Sequence, residues 1–574
     1  MAKPEKLRLG EILVRQNVLT EEALELALSE QKNNPRKLGR ARRLGRVLIE
    51  KGYVAESKVA EALALQLELP YIDLKHYNIK PEIAQRLPES QARRFRAIVL
   101  EDNGKAATVA MSDPTDLNAY DDIARTLHRE IQIVVVTDSQ LLAAIDRVYR
   151  RTGEISGLAR ELGASIGDAS VEFGGIAETP GIEEAPVVKL LQTVFEDAAQ
   201  VRASDIHIEP QENKVSIRFR IDGVLSLQTE AEARISSALV LRLKLMSGLD
   251  ISEKRLPQDG RFNVTTRNRR IDVRISTMPT QFGESVVMRL LNHDGGVLTL
   301  DRIGMPAFML ERVQSVLRRQ GGMILVTGPT GSGKTTTLYA GLNAINTPER
   351  KIVTVEDPVE YRLAGVNQVQ VHDKIELTFG RVLRSALRQD PDVILVGEMR
   401  DKETVETGLR AAMTGHLVLS TLHTNDAVTT PIRLLDMGAP RYMVAFSLQL
   451  VIAQRLLRVI CEACAEPHEL MPVEAQWFAD SRQGSDPQRT RFMKGKGCSH
   501  CNGSGYLGRT GVYEMLEMTR PVVEAANRED PAAFIAAATR EMAGNTLRSH
   551  AASLARAGRT TVQEAMRVTS QLED

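Results

Sequence analysis

The feature that most constrains the fold of this chain is a glycine-rich loop between an apolar run and a helical segment. Residues 323–327, Met-Ile-Leu-Val-Thr, have the pattern of a buried strand. They lead into Gly-Pro-Thr-Gly-Ser-Gly-Lys-Thr at 328–335, which has the G-x-x-x-x-G-K-[ST] spacing of a phosphate-binding loop. Because such a loop needs a strand before it and a helix N-terminus after it, the motif predicts a parallel α/β core that binds a nucleotide.

The residues of this loop differ in what they can contribute to binding. Glycines allow backbone N–H groups to turn inward toward phosphate oxygens, and the helix N-terminus adds positive potential. We expect Lys334 to reach the β- and γ-phosphates and the Thr335 hydroxyl to bind Mg²⁺. The residues expected to line the phosphate site are Gly328, Pro329, Thr330, Gly331, Ser332, Gly333, Lys334, Thr335 and Thr336.

Three apolar runs downstream each end in polar residues, as parallel strands do where they meet a nucleotide crevice. The first leads to Glu356, Asp357 and Glu360, which could hold Mg²⁺ through water, activate the attacking water, or form only a solvated acidic turn. The second is similar to a Walker B strand with glycine at the usual aspartate position, and Glu398 is expected to hold the water shell of Mg²⁺. The third precedes His423, which we expect to sense the γ-phosphate rather than to be a structural histidine.

The four cysteines of the chain form two pairs, each with two residues between its members. This spacing is typical of a closed tetrahedral Zn²⁺ site, which we expect to be structural because four thiolates leave no open position. A redox-active pair is the alternative. A loop or helical arm is expected between the two pairs. The expected zinc ligands are Cys461, Cys464, Cys498 and Cys501.

An internal repeat lies at the N-terminal end. Residues 8–31 and 43–66 both begin with Arg-Leu-Gly and end with Gln. A duplicated helical bundle would explain such a repeat without any ligand. A basic run at 36–46, however, adjoins the second Arg-Leu-Gly, where glycine lets backbone approach a ligand and arginine can bind phosphate through two hydrogen bonds. We therefore expect an anionic ligand across the two units, with Asn17 of the first unit at the position of Gly52 in the second.

Composition argues against some classes of protein. Lys and Arg total 74, as do Asp and Glu, so the formal net charge is zero, and aromatic residues make up 4%. Both values disfavour nucleic-acid binding by a broad basic surface or by base stacking. No run of about 18 apolar residues occurs, and the N-terminus lacks the apolar part of a signal peptide. We therefore expect a cytoplasmic protein, in which residues 445–457 are the most apolar helical candidate.

Changes of pattern along the chain predict four regions. Residues 1–150 combine the helical repeats with a small α/β unit. Residues 151–184 are rich in glycine and acidic residues and are expected to be a flexible linker. Residues 185–300 read as one helix followed by five strands, an α+β domain. Residues 301–574 are expected to form a parallel α/β core with a tetracysteine region at about 455–510. The strands expected in the first region are 97–101, 106–111 and 131–136.

These elements, in this order, resemble the GspE/PilB assembly ATPases of the secretion ATPase superfamily over nearly the whole chain. Residues 356–360 resemble that family's Asp box, 397–398 its Walker B motif and 415–423 its His box. The segments similar to its second N-terminal domain are 203–210 (ASDIHIEP), 218–223 (RFRIDG) and 256–261 (LPQDGR). The resemblance implies a RecA-like P-loop ATPase core with ATP as substrate, preceded by a PAS-like α+β domain and a helical/α+β N-terminal domain and followed by a zinc-bearing helical region.

The resemblance also implies the rest of the site and the assembly. The nucleotide would lie between the core and the second N-terminal domain, whose arginines would stabilise developing phosphate charge. Arg274 and Arg289 fall at the matching positions, with Arg220 and Arg261 as weaker candidates. The protein would be a homo-hexamer that works with an inner-membrane platform protein and contacts the membrane only through partners. Which Asp-box carboxylate orients the attacking water stays open.

The repeated units resemble the MshEN domain, which implies that they bind the regulatory ligand cyclic di-GMP. The motif residues are Arg8, Leu9, Gly10, Gln31, Arg43, Leu44, Gly45 and Gln66. Together the two resemblances imply an ATPase that assembles a type IV pilus of the MSHA kind, with a type II secretion ATPase as the alternative. A nucleic-acid translocase is disfavoured by the neutral charge. A cyclic-dinucleotide receptor with a decayed ATPase is disfavoured by the intact nucleotide-site residues.

Overall fold

The structure, a computed structural model, describes residues 7–33, 36–37, 40–41, 43–75, 77–149, 152–167, 186–266, 269–291, 298–481 and 491–570. Along these residues an N-terminal domain, a second domain and an α/β core domain follow one another. The core domain contains the four cysteines. No helix in these ranges combines the length and the apolar character needed to cross a bilayer.

The N-terminal end consists of two helix pairs, one from each repeat. Its elements are α1 (Leu9–Arg15), α2 (Glu21–Asn33), the short strands β1 (Arg36–Lys37) and β2 (Arg40–Ala41), α3 (Leu44–Glu50) and α4 (Glu56–Leu67). Arg8 and Arg43 directly precede α1 and α3, so the repeated Arg-Leu-Gly marks a helix start in both copies. Asn17 has φ 56° and Gly52 has φ 72°. The asparagine thus adopts the left-handed conformation that glycine has in the second copy.

The repeated glycines lie where the two helices of each repeat approach each other, while the two repeats pack together through α1 against α4 and α2 against α3. A Cβ on Gly10 would lie 2.6 Å from Leu24 Cδ1, and one on Gly45 would lie 2.8 Å from Val59 Cγ1. Close helix packing therefore requires both glycines, whether or not their backbone also approaches a ligand. In the basic run, Arg42 lies outside the described residues.

A small α/β unit follows and completes the N-terminal domain. Its elements are α5 (Pro81–Ala84), α6 (Glu89–Phe95), β3 (Ala97–Asp102), β4 (Ala106–Met111), α7 (Leu117–Leu127), β5 (Glu130–Val135) and α8 (Asp138–Val148). β4 pairs antiparallel with β3 and parallel with β5. The three strands lie within one residue of their predicted bounds, because each has a largely buried apolar stretch next to polar residues that mark its ends.

The second domain is a six-stranded antiparallel sheet covered by helices. Its elements are α9 (Thr152–Gly167), α10 (Pro186–Gln200), β6 (Asp205–Pro210), β7 (Lys214–Ile221), β8 (Val224–Glu232), α11 (Ser236–Ser247), β9 (Gln258–Thr266), β10 (Arg269–Thr280) and β11 (Gly283–Leu291). The strand order is β8-β7-β6-β11-β10-β9. The α+β prediction is confirmed. The sequence pattern missed β8, whose faces are mostly exposed or half-buried, and α11.

The prediction of a flexible linker is wrong for α9. Ile155, Ala159 and Leu162 of this helix are buried in the same hydrophobic core as α10 and the sheet. Their spacing of four and three residues places them on one face of the helix. The glycines in the same segment, which suggested a linker, are compatible with a helix once that face is packed. Residues 168–184 of the predicted linker lie outside the described residues.

The core is a seven-stranded sheet with the order β14-β13-β15-β16-β12-β17-β20, parallel except for β20. Its first elements are α12 (Ala307–Leu317), β12 (Gly322–Thr327), α13 (Lys334–Ile345), β13 (Ile352–Glu356), β14 (Asn367–Gln370), α14 (Phe379–Ala386), β15 (Val393–Val396), α15 (Lys402–Met413), β16 (Leu417–Leu422), α16 (Thr429–Asp436) and α17 (Arg441–Ser447). The strands β12, β13, β15 and β16 are fully buried, as their apolar runs predict. The predicted parallel α/β core is confirmed.

The last part of the chain adds a long hairpin to this sheet and a helical layer. Its elements are β17 (Leu448–Ile460), β18 (Ala465–His468), α18 (Pro472–Asp480), β19 (Phe492–Gly495), β20 (Tyr506–Glu517), α19 (Arg520–Ala526), α20 (Pro531–Met542), α21 (Leu547–Arg556) and α22 (Val562–Thr569). The prediction of an apolar helix at 445–457 is wrong, since most of it is β17. The strand is buried between β12 and β20, and an apolar run buried on both faces does not distinguish strand from helix.

Candidate functional site

The phosphate loop connects β12 to α13 as the motif predicts. Gly328, Gly331 and Gly333 have φ values of 146°, 79° and 88°, which L-residues with a side chain rarely adopt. The loop also packs closely on β17. A Cβ on Gly328 would lie 2.4 Å from the carbonyl oxygen of Gln454, and one on Gly333 would lie 2.8 Å from Gln454 Nε2. The loop backbone is therefore held in one shape by its neighbour.

Lys334 points its ammonium group into this loop. Its Nζ donates to the carbonyl oxygens of Gly328 at 2.7 Å and Pro329 at 3.1 Å. Burial lowers the pKa of Lys334 to about 8, and nearby Arg455 lowers it further, while Glu398 opposes the shift. The ammonium is thus poised for an anion that would replace these two carbonyl contacts.

The two candidate Asp-box carboxylates have different surroundings. Glu356 is 3% exposed and accepts hydrogen bonds from the Tyr339 hydroxyl, from Thr354 Oγ1 at 2.5 Å and from Gln368 Nε2 at 3.3 Å. Glu360 is half-buried, and its carboxylate pairs with Arg274 Nη1 of the second domain at 3.0 Å. The carboxylate of Glu356 is therefore already hydrogen-bonded to residues of its own domain, whereas that of Glu360 lies at the boundary between two domains.

Glu398 and His423 lie together at the ends of β15 and β16. His423 Nε2 is 3.3 Å from Glu398 Oε2, and the other carboxylate oxygen pairs with Arg400. Thr421 Oγ1 donates to the carbonyl oxygen of Gly397 at 2.7 Å, which ties the two strand ends to each other. The glycine at the usual aspartate position faces the backbone of β13, since a Cβ there would lie 3.3 Å from the Val355 carbonyl oxygen.

Arginines of the second domain face this part of the core. Arg274 Nη2 donates to the Val359 carbonyl oxygen at 2.8 Å, and Arg261 Nη2 donates to Gln370 Oε1 at 3.4 Å. Arg289 pairs with Asp205 at 3.2 Å and keeps 55% of its side chain exposed. Burial lowers the pKa of Arg274; Glu360 opposes this, and the positive charges of Arg261 and Arg289 add to it. Such a group of like charges favours an anionic ligand.

One cavity of about 640 Å³ brings most of these residues together. It is lined by the loop from Thr330 to Thr336, by Glu356, Glu360, Glu398 and His423, and by Arg289 of the second domain. Arg274 and Arg261 instead line a neighbouring cavity of about 900 Å³ that shares Glu360 with the first. Gly328 and Pro329 do not line the cavity, although their carbonyl oxygens bind Lys334.

The nucleotide cavity also includes Arg509, which the sequence analysis missed. Arg509 lies on β20, and its Nε is 3.5 Å from Asp222 of the second domain. The neighbouring Gly508 N–H donates to the same carboxylate at 2.8 Å. No sequence pattern connects this arginine with the phosphate loop, because only the β17–β20 hairpin returns it to the cavity.

The four cysteines converge on one point. Their Sγ atoms all lie within 4.8 Å of one another, and three of the Sγ–Sγ distances are 3.8, 3.9 and 3.8 Å. A tetrahedron with Zn–S bonds of about 2.3 Å has edges of about 3.8 Å, so the cluster fits zinc. Backbone N–H groups of Gly497, Cys498 and Gly505 donate to sulfurs of the cluster at 3.1–3.3 Å. All four cysteines are free, without a disulfide between them.

The residues between the cysteine pairs are partly as predicted. They contain α18, which is the expected helical element, and the strands β18 and β19, which were not predicted. His500 of the second pair does not contact the metal position in this arrangement. Its ring nitrogens lie 3.1 Å from Arg147 Nη1 and 3.2 Å from the Leu74 carbonyl oxygen, both in the N-terminal domain.

The repeat residues occupy equivalent places in the two units. Arg8 and Arg43 are both exposed, and Gln31 and Gln66 both lie near the ends of the second helices. Arg43 differs in its partners, because its guanidinium pairs with Asp113 and donates to Thr115 Oγ1 at 3.1 Å. Leu9 and Leu44 are half-buried against the shared helical core, and Gly10 and Gly45 are buried in it.

The parallel sheet, the phosphate loop and the polar strand ends together define a P-loop nucleoside triphosphatase with a PAS-like domain against its active site. Comparison with known families agrees with this class. The family described as Type II/IV secretion system protein matches residues 182–567, and the MshEN domain matches residues 67–155. The chain belongs to the type II/IV secretion ATPase family and is an ATP hydrolase with an MshEN domain.

Similar proteins act in two related machines. The chain is 43% identical to the type IV pilus assembly ATPase PilB of Myxococcus xanthus over 513 residues, which is 89% of both proteins. It is 40% identical to the type II secretion system ATPase E of Vibrio cholerae, over 85% of this chain and 97% of that protein. Among solved structures, the Yersinia pseudotuberculosis ATPase DotB is 21% identical with a TM-score of 0.50, covering 70% of this chain and 97% of that one. That structure shares the fold.

Proposed function

We propose that this chain is a hexameric, cytoplasmic ATPase that couples ATP hydrolysis to assembly of a type IV pilus of the MSHA kind, and that cyclic di-GMP regulates it. The observation that carries the proposal is the cavity shared by the phosphate loop of the core and Arg289 of the second domain. Because one nucleotide would contact two domains, its hydrolysis can change their relative position. An assembly motor needs such a coupling.

In this proposal the loop and two strand ends bind and orient ATP. Lys334 exchanges its contacts with the loop carbonyl oxygens for the β- and γ-phosphates. Thr335 and Glu398, which line the same cavity, would hold Mg²⁺, and the cation would neutralise phosphate charge. His423, 3.3 Å from Glu398, would contact the γ-phosphate and report its loss.

We assign the attacking water to Glu360 rather than Glu356. Glu356 already accepts three hydrogen bonds in a buried position, whereas Glu360 lines the cavity and its carboxylate, among the described residues, pairs with Arg274 across the domain boundary. Water held by Glu360 would attack the γ-phosphorus while the bond to the β-γ bridging oxygen breaks, which yields ADP and phosphate. Arg289 and Arg274 would stabilise the charge that develops on the transferred group.

The regulatory part of the proposal rests on the repeats. Arg8 and Arg43 stand at equivalent helix starts with exposed guanidinium groups, which suits a ligand that has two equivalent phosphates. The motif residues 8–66 directly precede the matched MshEN segment. Cyclic di-GMP bound there would contact both repeats and so fix their packing against each other.

The four-cysteine cluster is proposed to hold a structural Zn²⁺. Three of the distances between its sulfurs, 3.8, 3.9 and 3.8 Å, are close to the edge of a tetrahedral tetrathiolate site, and four thiolates need no fifth ligand. The cluster connects β17 to β20, so a metal there would brace the hairpin that carries Arg509.

The test of the proposed function measures the rate of ATP hydrolysis and the mass of the oligomer. ATPase activity is measured with and without cyclic di-GMP, and native mass spectrometry reports the oligomer. We expect a hexamer whose activity falls to background in Lys334→Ala, while that variant still binds cyclic di-GMP. A wild-type protein that stays monomeric with nucleotide, or full turnover in Lys334→Ala, would contradict the proposal. Strong stimulation by DNA would instead support a translocase.

A type II secretion ATPase is the second candidate, because the chain is 40% identical to one. Complementation separates the two. In a deletion strain of the source organism, the wild-type gene should restore surface pili and the Lys334→Ala gene should not. Restored protein export with no effect on pili would move the assignment to type II secretion. Either machine would connect the ATPase to the membrane through an inner-membrane platform protein.

A further inference from the structure

The N-terminal domain contacts the tetracysteine cluster directly. The last turn of α8 lies against the 3₁₀ turn Ser499–Cys501, which contains Cys501 and directly follows Cys498. Arg147 of α8 donates from Nη1 to His500 Nδ1 at 3.1 Å, and His500 Nε2 donates to the Leu74 carbonyl oxygen at 3.2 Å. Because both partners fix its protons, His500 is the neutral Nε2–H tautomer here.

Arg147 lies close enough to the cysteine cluster to interact electrostatically with its thiols. The guanidinium is half-buried, and its burial lowers the pKa of Arg147, while the neighbouring thiols of Cys498 and Cys461 oppose this shift. Among the described residues, no acceptor lies within hydrogen-bonding distance of its buried Nε. An ion pair in the same contact, Lys75 with Glu462 at 3.7 Å, is largely exposed and adds little.

The charge of the cluster depends on metal. Four thiols must lose their protons to bind Zn²⁺, so the loaded site carries four negative charges against two positive ones. A buried double negative charge is unfavourable unless a cation lies near it. Arg147 is the arginine that the N-terminal domain supplies at this position, so a docked domain stabilises the loaded site.

α8 also connects this contact to the repeats. At its other end, Ser139 donates to Glu56 from its backbone N at 3.0 Å and from Oγ at 2.5 Å. Glu56 is the first residue of α4, in the second repeat. One helix of 11 residues therefore contacts a repeat at its start and the cysteine cluster at its end.

From this arrangement we infer that the metal-loaded tetracysteine cluster is the docking site of the N-terminal domain, and that metal binding and docking stabilise each other through Arg147. The inference rests on the proposed zinc site. By reciprocity, docking must strengthen metal binding by the factor by which metal strengthens docking, so loss of the Arg147 charge should weaken metal binding. The site thus holds the regulatory domain in place as well as bracing its own hairpin.

The experiment measures zinc release from the full-length protein to a coloured chelator. From the equilibrium distribution of zinc between protein and chelator, we expect the zinc Kd of Arg147→Gln to be at least about fivefold higher than that of wild type, the low end of usual coupling factors. Arg147→Lys, which keeps the charge, should recover most of the difference. Arg125→Gln removes an exposed arginine of α7 in the same domain and should bind zinc as wild type does.

Hydrogen exchange provides a second measurement that needs no variant. Removing zinc from the wild-type protein should increase exchange in residues 138–148, while residues 117–127 of α7 stay protected. An equal zinc Kd in Arg147→Gln and wild type, or unchanged exchange in α8 on zinc removal, would overturn the inference and leave the zinc site intact. Native protein that contains no zinc by mass spectrometry would overturn the zinc site and the inference together.

Discussion

The ammonium group of Lys334 lies 2.7 Å from the Gly328 carbonyl oxygen and is partly withdrawn from water. Its pKa of about 8 has a consequence for nucleotide binding. Only the charged form attracts phosphate, so this attraction is present below pH 8 and is lost as the pH rises above it. Between pH 7 and pH 9 we expect ATP affinity to fall about tenfold, as the protonated fraction does. Titration with a fluorescent ATP analogue at several pH values measures this.

Lys334→Arg is the control for this titration, since a guanidinium keeps its charge over the whole range. Its affinity, whatever its value, should change little between pH 7 and pH 9. A wild-type affinity that is equally flat would show that the lysine stays charged in the empty site.

The sequence was sufficient to predict that residues 328–333 form a loop between a strand and a helix, because the spacing of the motif requires all three elements. It could not separate Glu356 from Glu360. The saturation of Glu356 depends on Tyr339 from α13 and Gln368 from β14, which the fold brings to it. Arg509 was beyond prediction for the same reason, since its place in the cavity depends on how the final hairpin pairs.

At the scale of elements, two predictions were wrong: the linker at α9, where glycines hid a buried helix face, and the helix at 445–457, where an apolar run belongs to a strand. Glycines in α9 suggested a linker, but Ile155, Ala159 and Leu162 form a buried face that only the neighbouring α10 and sheet reveal. In β17 an apolar run suggested a helix, but the run is buried on both faces as a sheet strand. Local composition is a poor guide to whether such a segment is a helix, a strand or a linker, because tertiary packing determines which of its faces are buried.

If α9 is part of the second domain, its core residues must contribute to stability. Ile155 is fully buried, so Ile155→Ala should lower the free energy of unfolding of that domain by about 2–5 kcal/mol. Urea unfolding followed by circular dichroism measures the change. The matched control is Arg160→Ala on the exposed side of the same helix, with an expected change within about 0.5 kcal/mol. Equal, small effects of both changes would mean that the segment behaves as a linker after all.

At the scale of the whole molecule, the proposed regulatory site at residues 8–66 and the proposed catalytic site at residues 289–509 do not overlap in the sequence and should be separable. Arg8→Ala and Arg43→Ala each remove a guanidinium from the proposed cyclic di-GMP site, and each should weaken binding by about tenfold or more, as expected for lost hydrogen bonds between charged groups. Calorimetry measures the affinity. Basal ATP hydrolysis without the ligand should stay the same in both variants.

Arg125→Ala is the matched control, because Arg125 is an exposed arginine on α7, outside both repeats, that pairs with Asp122 within its own helix. Unchanged cyclic di-GMP affinity in both motif variants would remove the receptor role and leave the ATPase assignment untouched. A loss of affinity in Arg43→Ala alone would assign the ligand to the second repeat.

The nucleotide cavity takes its lining from residues as far apart in the chain as Arg289 and Arg509. During synthesis the ribosome delivers the phosphate loop long before β20 emerges from the exit tunnel. A nascent chain therefore exposes a half-built pocket that lacks one of its walls. The cavity therefore has its full lining only after the chain has been made as far as Arg509, which is late in the synthesis of a protein of 574 residues.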